Sequence, residues 1–212
     1  MIRKGCQALV LGAALALAAC ASAPLHYYTL ITPDQSAAGD YVPTATRAAV
    51  AVTPAPFQFE LLPVGVPAQV DQPQLVVRQG EQSVAMLNNE RWIAPLSDEV
   101  RGALSADLAR ELGTQDVSGL PATGKPVMRI KVDLRRFDSQ PGGYALIDAA
   151  WSLRSLKGGH SLACTSRISE TVGPGYDALV AGHQRALASL AAQIASVASV
   201  LAAGQTPACP AS

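Results

Sequence analysis

Residues Met128–Arg135 alternate without a break: Met128, Ile130, Val132 and Leu134 take one phase, and Arg129, Lys131, Asp133 and Arg135 the other. A period of two is the strand period, and charge along one whole phase leaves that face in water. Strands of parallel sheets are covered on both faces and read as continuous apolar runs, so this one belongs to an antiparallel sheet. Two more strands follow it. After a turn at Gln140–Gly143, Ala145, Ile147, Ala149, Trp151 and Leu153 form one apolar phase. After a second turn at Lys157–Gly159, His160–Val172 places Leu162, Cys164, Ile168 and Val172 in one phase. Three consecutive strands with Gly-rich turns predict a meander.

Two helices accompany it. Ser97 reads as an N-cap, Asp98 and Glu99 put negative charge in the first turn, and Val100, Leu104, Leu108 and Leu112 recur every fourth residue before Gly113 ends the helix. The second helix spans roughly Tyr176–Ala203, with Leu179, His183, Leu187, Leu190, Ile194, Val197 and Leu201 on one face. Past Arg185 the chain carries no charged side chain. Ser189, Gln193, Ser196 and Ser199 dilute this stretch and no basic flank follows, which favours a core helix over a membrane span. Its uncharged back, with Ala188, Ala192, Ser196 and Ser199, is a candidate face for a partner or a second copy.

The first half of the chain is β-prone and broken by proline. His26–Ile31 and Ala48–Thr53 read as strands, separated by a loop over Asp34–Thr46. Pro54, Pro56, Pro63, Pro67, Pro73 and Pro95 exclude a useful helix between them. Within that span Gln74–Arg78 and Ser83–Leu87 suggest a hairpin. Trp92 is expected to plug the junction between sheet and helix, and Trp151 to lie in the core. Aromatic residues are only 5%, so the core is aliphatic. The order strands, helix, meander, helix predicts an α+β two-layer sandwich: an antiparallel sheet with two main helices packed on one face.

The N-terminus reads as an address. Arg3 and Lys4 precede an apolar stretch, Ala8–Ala19, too short for a bilayer but suited to a signal peptide. Leu17-Ala18-Ala19-Cys20 resembles the bacterial lipobox, in which the Cys thiol is acylated and becomes the new N-terminus. The expected division is a lipoprotein signal over 1–19, a lipidated Cys20 with a tether over 20–25, and a folded domain over 26–212. In enterobacterial lipoproteins Asp after the lipidated Cys retains the protein in the inner membrane, so by resemblance Ala21 implies the outer membrane. Cys6 leaves with the signal and Cys20 carries lipid. Cys164 and Cys209 remain, either joined as one disulfide in an oxidising compartment or left as two thiols.

Motifs for chemistry are absent or incomplete. Sixteen basic and sixteen acidic residues give zero net charge, which excludes nucleic-acid binding driven by phosphate neutralisation. Gly119–Lys125 matches a phosphate-binding loop for seven positions, but Pro126 stands where a Ser or Thr must hold magnesium, and a strand follows instead of a helix. His26, His160 and His183 lack metal-ligand spacing and read as surface or satisfied core residues. No nucleophile elbow occurs, and Cys164 has no catalytic company. The sequence therefore supplies no catalytic residue, cofactor site or metal site.

Several blocks together resemble a known family. These are Tyr27-Tyr28-Thr29-Leu30 soon after Cys20, Val64-Gly65-Val66-Pro67, Asp71-Gln72-Pro73-Gln74-Leu75-Val76-Val77-Arg78, and Glu90-Arg91-Trp92 with Pro95-Leu96 entering the first helix. They resemble the ABC-type transport auxiliary lipoproteins (PqiC/YmbA-like), over nearly all of the chain after Cys20. Ala68-Gln69-Val70 departs from the acidic and aromatic pair more usual there. The resemblance implies a non-catalytic outer-membrane lipoprotein facing the periplasm. Its implied partners are an MCE-domain protein with an ABC permease and ATPase that move phospholipid or other apolar molecules, and it admits a homo-oligomeric ring. Three other readings stay open: an outer-membrane assembly or lipopolysaccharide-export chaperone, a tethered small-molecule or lipid-binding module, and an envelope enzyme with titratable groups converging in a cleft.

Overall fold

The computed structural model describes residues 23–32, 53–121 and 124–211. The signal segment, Cys20, and the strand expected at Ala48–Thr53 (all but Thr53) lie outside the described residues. The meander forms as its alternation requires: β5 (Val127–Gln140), β6 (Tyr144–Ser155) and β7 (Ser161–Thr171) pair antiparallel in that order. Ala145, Ile147, Ala149, Trp151 and Leu153 are all buried. β5 runs five residues beyond the expected Arg135 because its register shifts between Leu134 and Arg136. The extra residue of a bulge resets the phase, so Phe137 and Ser139 turn inward after Leu134.

Among the described residues four shorter strands complete two sheets. β1 (His26–Tyr28), β3 (Gln74–Arg78) and β4 (Val84–Trp92) form one sheet in the order β1-β4-β3. β2 (Gln58–Leu61) joins the meander in the order β2-β5-β6-β7. The β3–β4 hairpin is antiparallel as expected, whereas β1 pairs parallel to β4, and β2 parallel to β5. The architecture is thus α+β, with two sheets each carrying one parallel edge pairing. β2 sits between Pro56 and Pro63, a position proline permits only at an edge. Its Phe59 and Leu61 are fully buried.

Helix α1 (Leu96–Leu112) starts one residue before the expected Ser97, and its N-cap is Pro95 instead. The Pro95 carbonyl accepts the amides of Asp98 and Glu99, at 2.9 and 3.0 Å, and among the described residues no side chain caps the end. Leu96, fully buried, is drawn into the first turn, which leaves Ser97 inside the helix. Gly113 closes it in the left-handed conformation, with φ at 61°.

Helix α2 (Tyr176–Ala202) is long and apolar enough to cross a bilayer by length and composition, but half of its most apolar window is buried. Its stripe from Leu179 to Leu201 packs against β6, β7 and α1. Gly182 permits the close approach: a Cβ there would lie 2.3 Å from Val172 Cγ1 and 2.9 Å from Ala145 Cβ. The small residue sets the helix onto the sheet.

One buried column ties the layers. Trp92 at the end of β4 meets Phe137 edge-on, with centroids 6.1 Å apart. Phe137 stacks on His183 of α2 at 3.9 Å, and His183 Nε2 pairs with Ser139 Oγ at 2.8 Å. Trp92 therefore plugs the sheet–helix junction as expected.

Candidate functional site

The segment that follows the expected tether leaves β1 after Tyr28 and turns into the core. Leu30 is 1% exposed. Burying it carries the backbone amides of Thr29–Ile31 out of the sheet, and they need new partners. Glu99, itself only 2% exposed, supplies them: its Oε2 accepts from Thr29 Oγ1 at 2.8 Å and from the Leu30 amide at 2.7 Å. The Thr29 hydroxyl oxygen accepts from the Ile31 amide, and Gln184 of α2 donates to the Thr29 carbonyl. Gly102 leaves room for Ile31, whose Cδ1 would lie 2.7 Å from a Cβ at that position.

A second carboxylate holds the strand itself. Glu90 on β4 accepts from the Tyr28 hydroxyl at 2.7 Å and faces His26 Nδ1 at 3.1 Å. Burial first, and then the hydrogen bond to Glu90, raise the Tyr28 pKa well above the ordinary phenol value. The hydroxyl stays protonated and goes on donating. Glu90 and Glu99 thus clamp both ends of the short segment to rigid elements.

These contacts set an expectation for stability. Glu99→Ala should cost about 2 kcal/mol, because it leaves the buried Leu30 amide without its charged acceptor. Urea unfolding reads the loss. Faster proteolytic cleavage near Ile31 in the native state should accompany it, with Glu99→Gln recovering most of both effects. Unchanged stability in Glu99→Ala would remove the clamp.

A separate hub fixes the loop after α1. Asp116 accepts from Ser118 (hydroxyl and amide), Ser105 Oγ and the Leu61 amide, and faces Arg101 Nη2 at 3.3 Å. Burial alone would raise its pKa, but these donors outweigh it and hold it below the usual carboxylate value. Its company is structural. Asp107 shows the opposite balance: burial raises its pKa despite Arg110 at 2.6 Å.

The other residues singled out in the sequence are placed as follows. Cys20 lies outside the described residues. Cys164 on β7 and Cys209 in the tail after α2 are bonded to each other, with Cα atoms 5.5 Å apart. Cys209 and Pro210 line a hollow with Lys131, Asp133, Ser152 and Thr165, which occupy the polar phase of the meander. The tail is thus held beside β7, where the Cys209 sulfur also lies 3.4 Å from the Ala163 carbonyl oxygen. On α2, Ala192, Ser196 and Ser199 are exposed and Ala188 half-buried, along one outward stripe. Ala188 also lines a cleft of about 280 Å³ between the helices, beside Ala103, Asp107 and Arg110.

The histidines do not converge. His26 binds Glu90, His160 is exposed, and His183 is buried in the column. Among the described residues no three His, Cys, Asp or Glu side chains are placed to hold a metal. Gly124-Lys125 leads into β5, not into a helix. The geometry is that of a short segment held to β4 and α1 by Glu90 and Glu99. Sequence reasoning missed Glu90 and Glu99 as its clamps, having read Glu99 only as a charge at a helix start.

No protein of curated function matches the chain. A solved structure of an uncharacterized protein aligns with a TM-score of 0.61 at 19% identity, over 82% of this chain and 98% of that one. A Xanthomonas campestris protein of the DUF330 family aligns with a TM-score of 0.57 at 16% identity, over 72% of this chain and 93% of that one. At such identities these two establish the fold alone. The family model of ABC-type transport auxiliary lipoprotein components matches residues 41–195, most of the sequence, and the chain belongs to that family.

Proposed function

We propose that this protein is a non-catalytic lipoprotein of the outer membrane, facing the periplasm. It serves as the auxiliary subunit of an MCE/ABC-type system that moves phospholipid between membranes and so supports envelope integrity. The family match over residues 41–195 carries this reading. The clamped segment supports it, since a tether is useful only if its root is fixed to the domain. Each buried CH₂ of an acyl chain contributes about 0.8 kcal/mol, so the two or three chains on Cys20 would hold the domain at the leaflet for long times. Confinement there raises its effective concentration near a periplasm-spanning conduit. The domain docks the distal end of that conduit.

The outward stripe of α2 is the proposed contact face, for the MCE-domain protein or for further copies of this chain in a ring. Small uncharged side chains let another backbone approach closely, whereas a charge there must be desolvated. Labelled fatty acid should be incorporated by the wild type and not by Cys20→Ala, which should be released from membranes. Affinity capture of the lipidated protein should bring down the MCE-domain protein with its permease and ATPase. The double variant Ala188→Glu, Ala192→Lys should stay folded and acylated but lose that capture or its own assembly. If it keeps both, the stripe is not the interface. Recovery of a β-barrel protein in place of the MCE partner would favour a role in outer-membrane assembly.

A further inference from the structure

We infer that the surface around Tyr27 and Ile93 is a membrane-contact patch that seats the domain on the leaflet holding its anchor; this rests on the lipidation of Cys20 proposed above. Leu25, Tyr27 and Ile93 are 47%, 55% and 61% exposed, an unusual cost for large apolar side chains that cluster. The register gathers them. Tyr27 lies opposite Arg91, and the Ile93 amide donates to the Tyr28 carbonyl at 2.9 Å. His26 and Tyr28 turn the other way to meet Glu90, so Leu25 shares the phase of Tyr27. Tyr27, Arg91 and Ile93 line an open cleft of about 440 Å³ with Pro73, Pro95 and Asp71.

Chain length decides what covers this patch. Leu25 lies five positions after Cys20, and an extended chain reaches about 3.5 Å per residue, so the two Cα atoms lie within about 17 Å of each other. The Glu90 and Glu99 clamps remove slack beyond that point. The patch therefore lies close enough to the leaflet to reach its headgroup layer. Its chemistry suits that layer: a phenol with an apolar body and polar tip, branched aliphatics, and an arginine whose stem can lie on the surface. Among the described residues Asp71 is the one acidic side chain lining the cleft, and a zwitterionic headgroup layer accepts it beside Arg91.

The opposite end of β4 gives an internal control. Val84 is 60% exposed and lies nine residues from Ile93, about 30 Å along an extended strand. A seated domain holds Ile93 in the bilayer interface and Val84 clear of it.

The test uses the full-length acylated protein, added to preformed vesicles of phosphatidylethanolamine and phosphatidylglycerol that carry dibrominated phosphatidylcholine. Ile93→Trp and Val84→Trp each add one emitter, and the parent spectrum from Trp92 and Trp151 is subtracted. Bromolipid should quench about half of the emission added by Ile93→Trp and leave that of Val84→Trp unchanged. An unquenched Ile93→Trp in protein whose intact mass carries the acyl chains overturns the patch and leaves the anchor standing. Equal quenching at both positions overturns it too, because the domain then has no fixed seat. Cross-linking of Ile93→Cys to a second copy, without quenching of Ile93→Trp, assigns the surface to self-association and also overturns the patch. A mass without acyl chains removes the anchor and the patch together.

Discussion

Reducing the Cys164–Cys209 bond should destabilise the domain by about 4 kcal/mol, the chain-entropy value for a loop closed across 45 residues. The loop takes in all of α2, the longest helix. Once the bond is broken, the unfolded chain no longer keeps that helix near β7, and its extra freedom favours unfolding. The folded state loses much less, since Cys209 lies in an exposed tail, where its sulfur also approaches the Ala163 carbonyl oxygen at 3.4 Å. Cys209→Ser should therefore act almost wholly through the unfolded chain. Cys164→Ser should cost more, because Cys164 is 6% exposed and its replacement buries a hydroxyl among core side chains. For a domain of this size 1 kcal/mol moves the midpoint by about 2–4 °C, so reduction should lower Tm by about 8–16 °C. The double variant Cys164→Ala, Cys209→Ser should be little worse than either single change, as two halves of one bond are not additive. A shift of only a degree or two on reduction would remove the bond from the account of stability.

The meander and both helices are legible in the sequence because their signals are local. Alternation at Met128–Arg135 and the 3.6-residue stripe from Leu179 to Leu201 each need only neighbouring residues to be seen. What escaped reading depends on pairings across long separations. β1 pairs with β4 through His26–Glu90 and Tyr28–Trp92, and nothing in the polar run Asn88-Asn89-Glu90-Arg91 marks it as a strand. β2 is four residues between prolines, too short for a period to declare itself. The bulge at Leu134–Arg136 hides the second half of β5, since Phe137 and Ser139 fall out of phase with Met128–Leu134 and return to the core only through the extra residue.

The candidate site was legible to a smaller degree. Glu99 serves the helix dipole in any reading, but its bond to the Leu30 amide spans 69 residues and appears only when the helix stands beside the segment after β1. Ile93 and Tyr27 look like ordinary core residues in sequence. Their exposure follows from Tyr28 and Trp92 taking the inward positions of the same two strands.

Acid should unfold this domain early, and His183 supplies the reason. The imidazole is fully buried, its Nδ1 has no hydrogen-bond partner among the described residues, and Phe137 covers one face at 3.9 Å. Burial depresses its pKa from 6.5 to about 3, against a smaller opposing pull from the charge on Asp138. The folded state thus holds the ring neutral where the unfolded chain protonates it. Stability from this group is present above pH 6.5 and is lost as pH falls towards 3, at about 1.4 kcal/mol per pH unit. Between pH 6.5 and pH 5 that amounts to about 2 kcal/mol, a large share of the 5–15 kcal/mol that holds an ordinary domain together. Replacing His183 alone would leave the buried Ser139 hydroxyl without its partner, so the informative variant is Ser139→Ala, His183→Leu. Urea unfolding of both proteins at steps from pH 7 to pH 5 should give a falling stability for the wild type and a flatter profile for the double variant. Carboxylates such as Asp107 and Asp116 are common to both and cancel in the difference. Parallel profiles would mean that the ring takes up its proton without leaving the core, and that the column from Trp92 to Ser139 tolerates a charge at its centre.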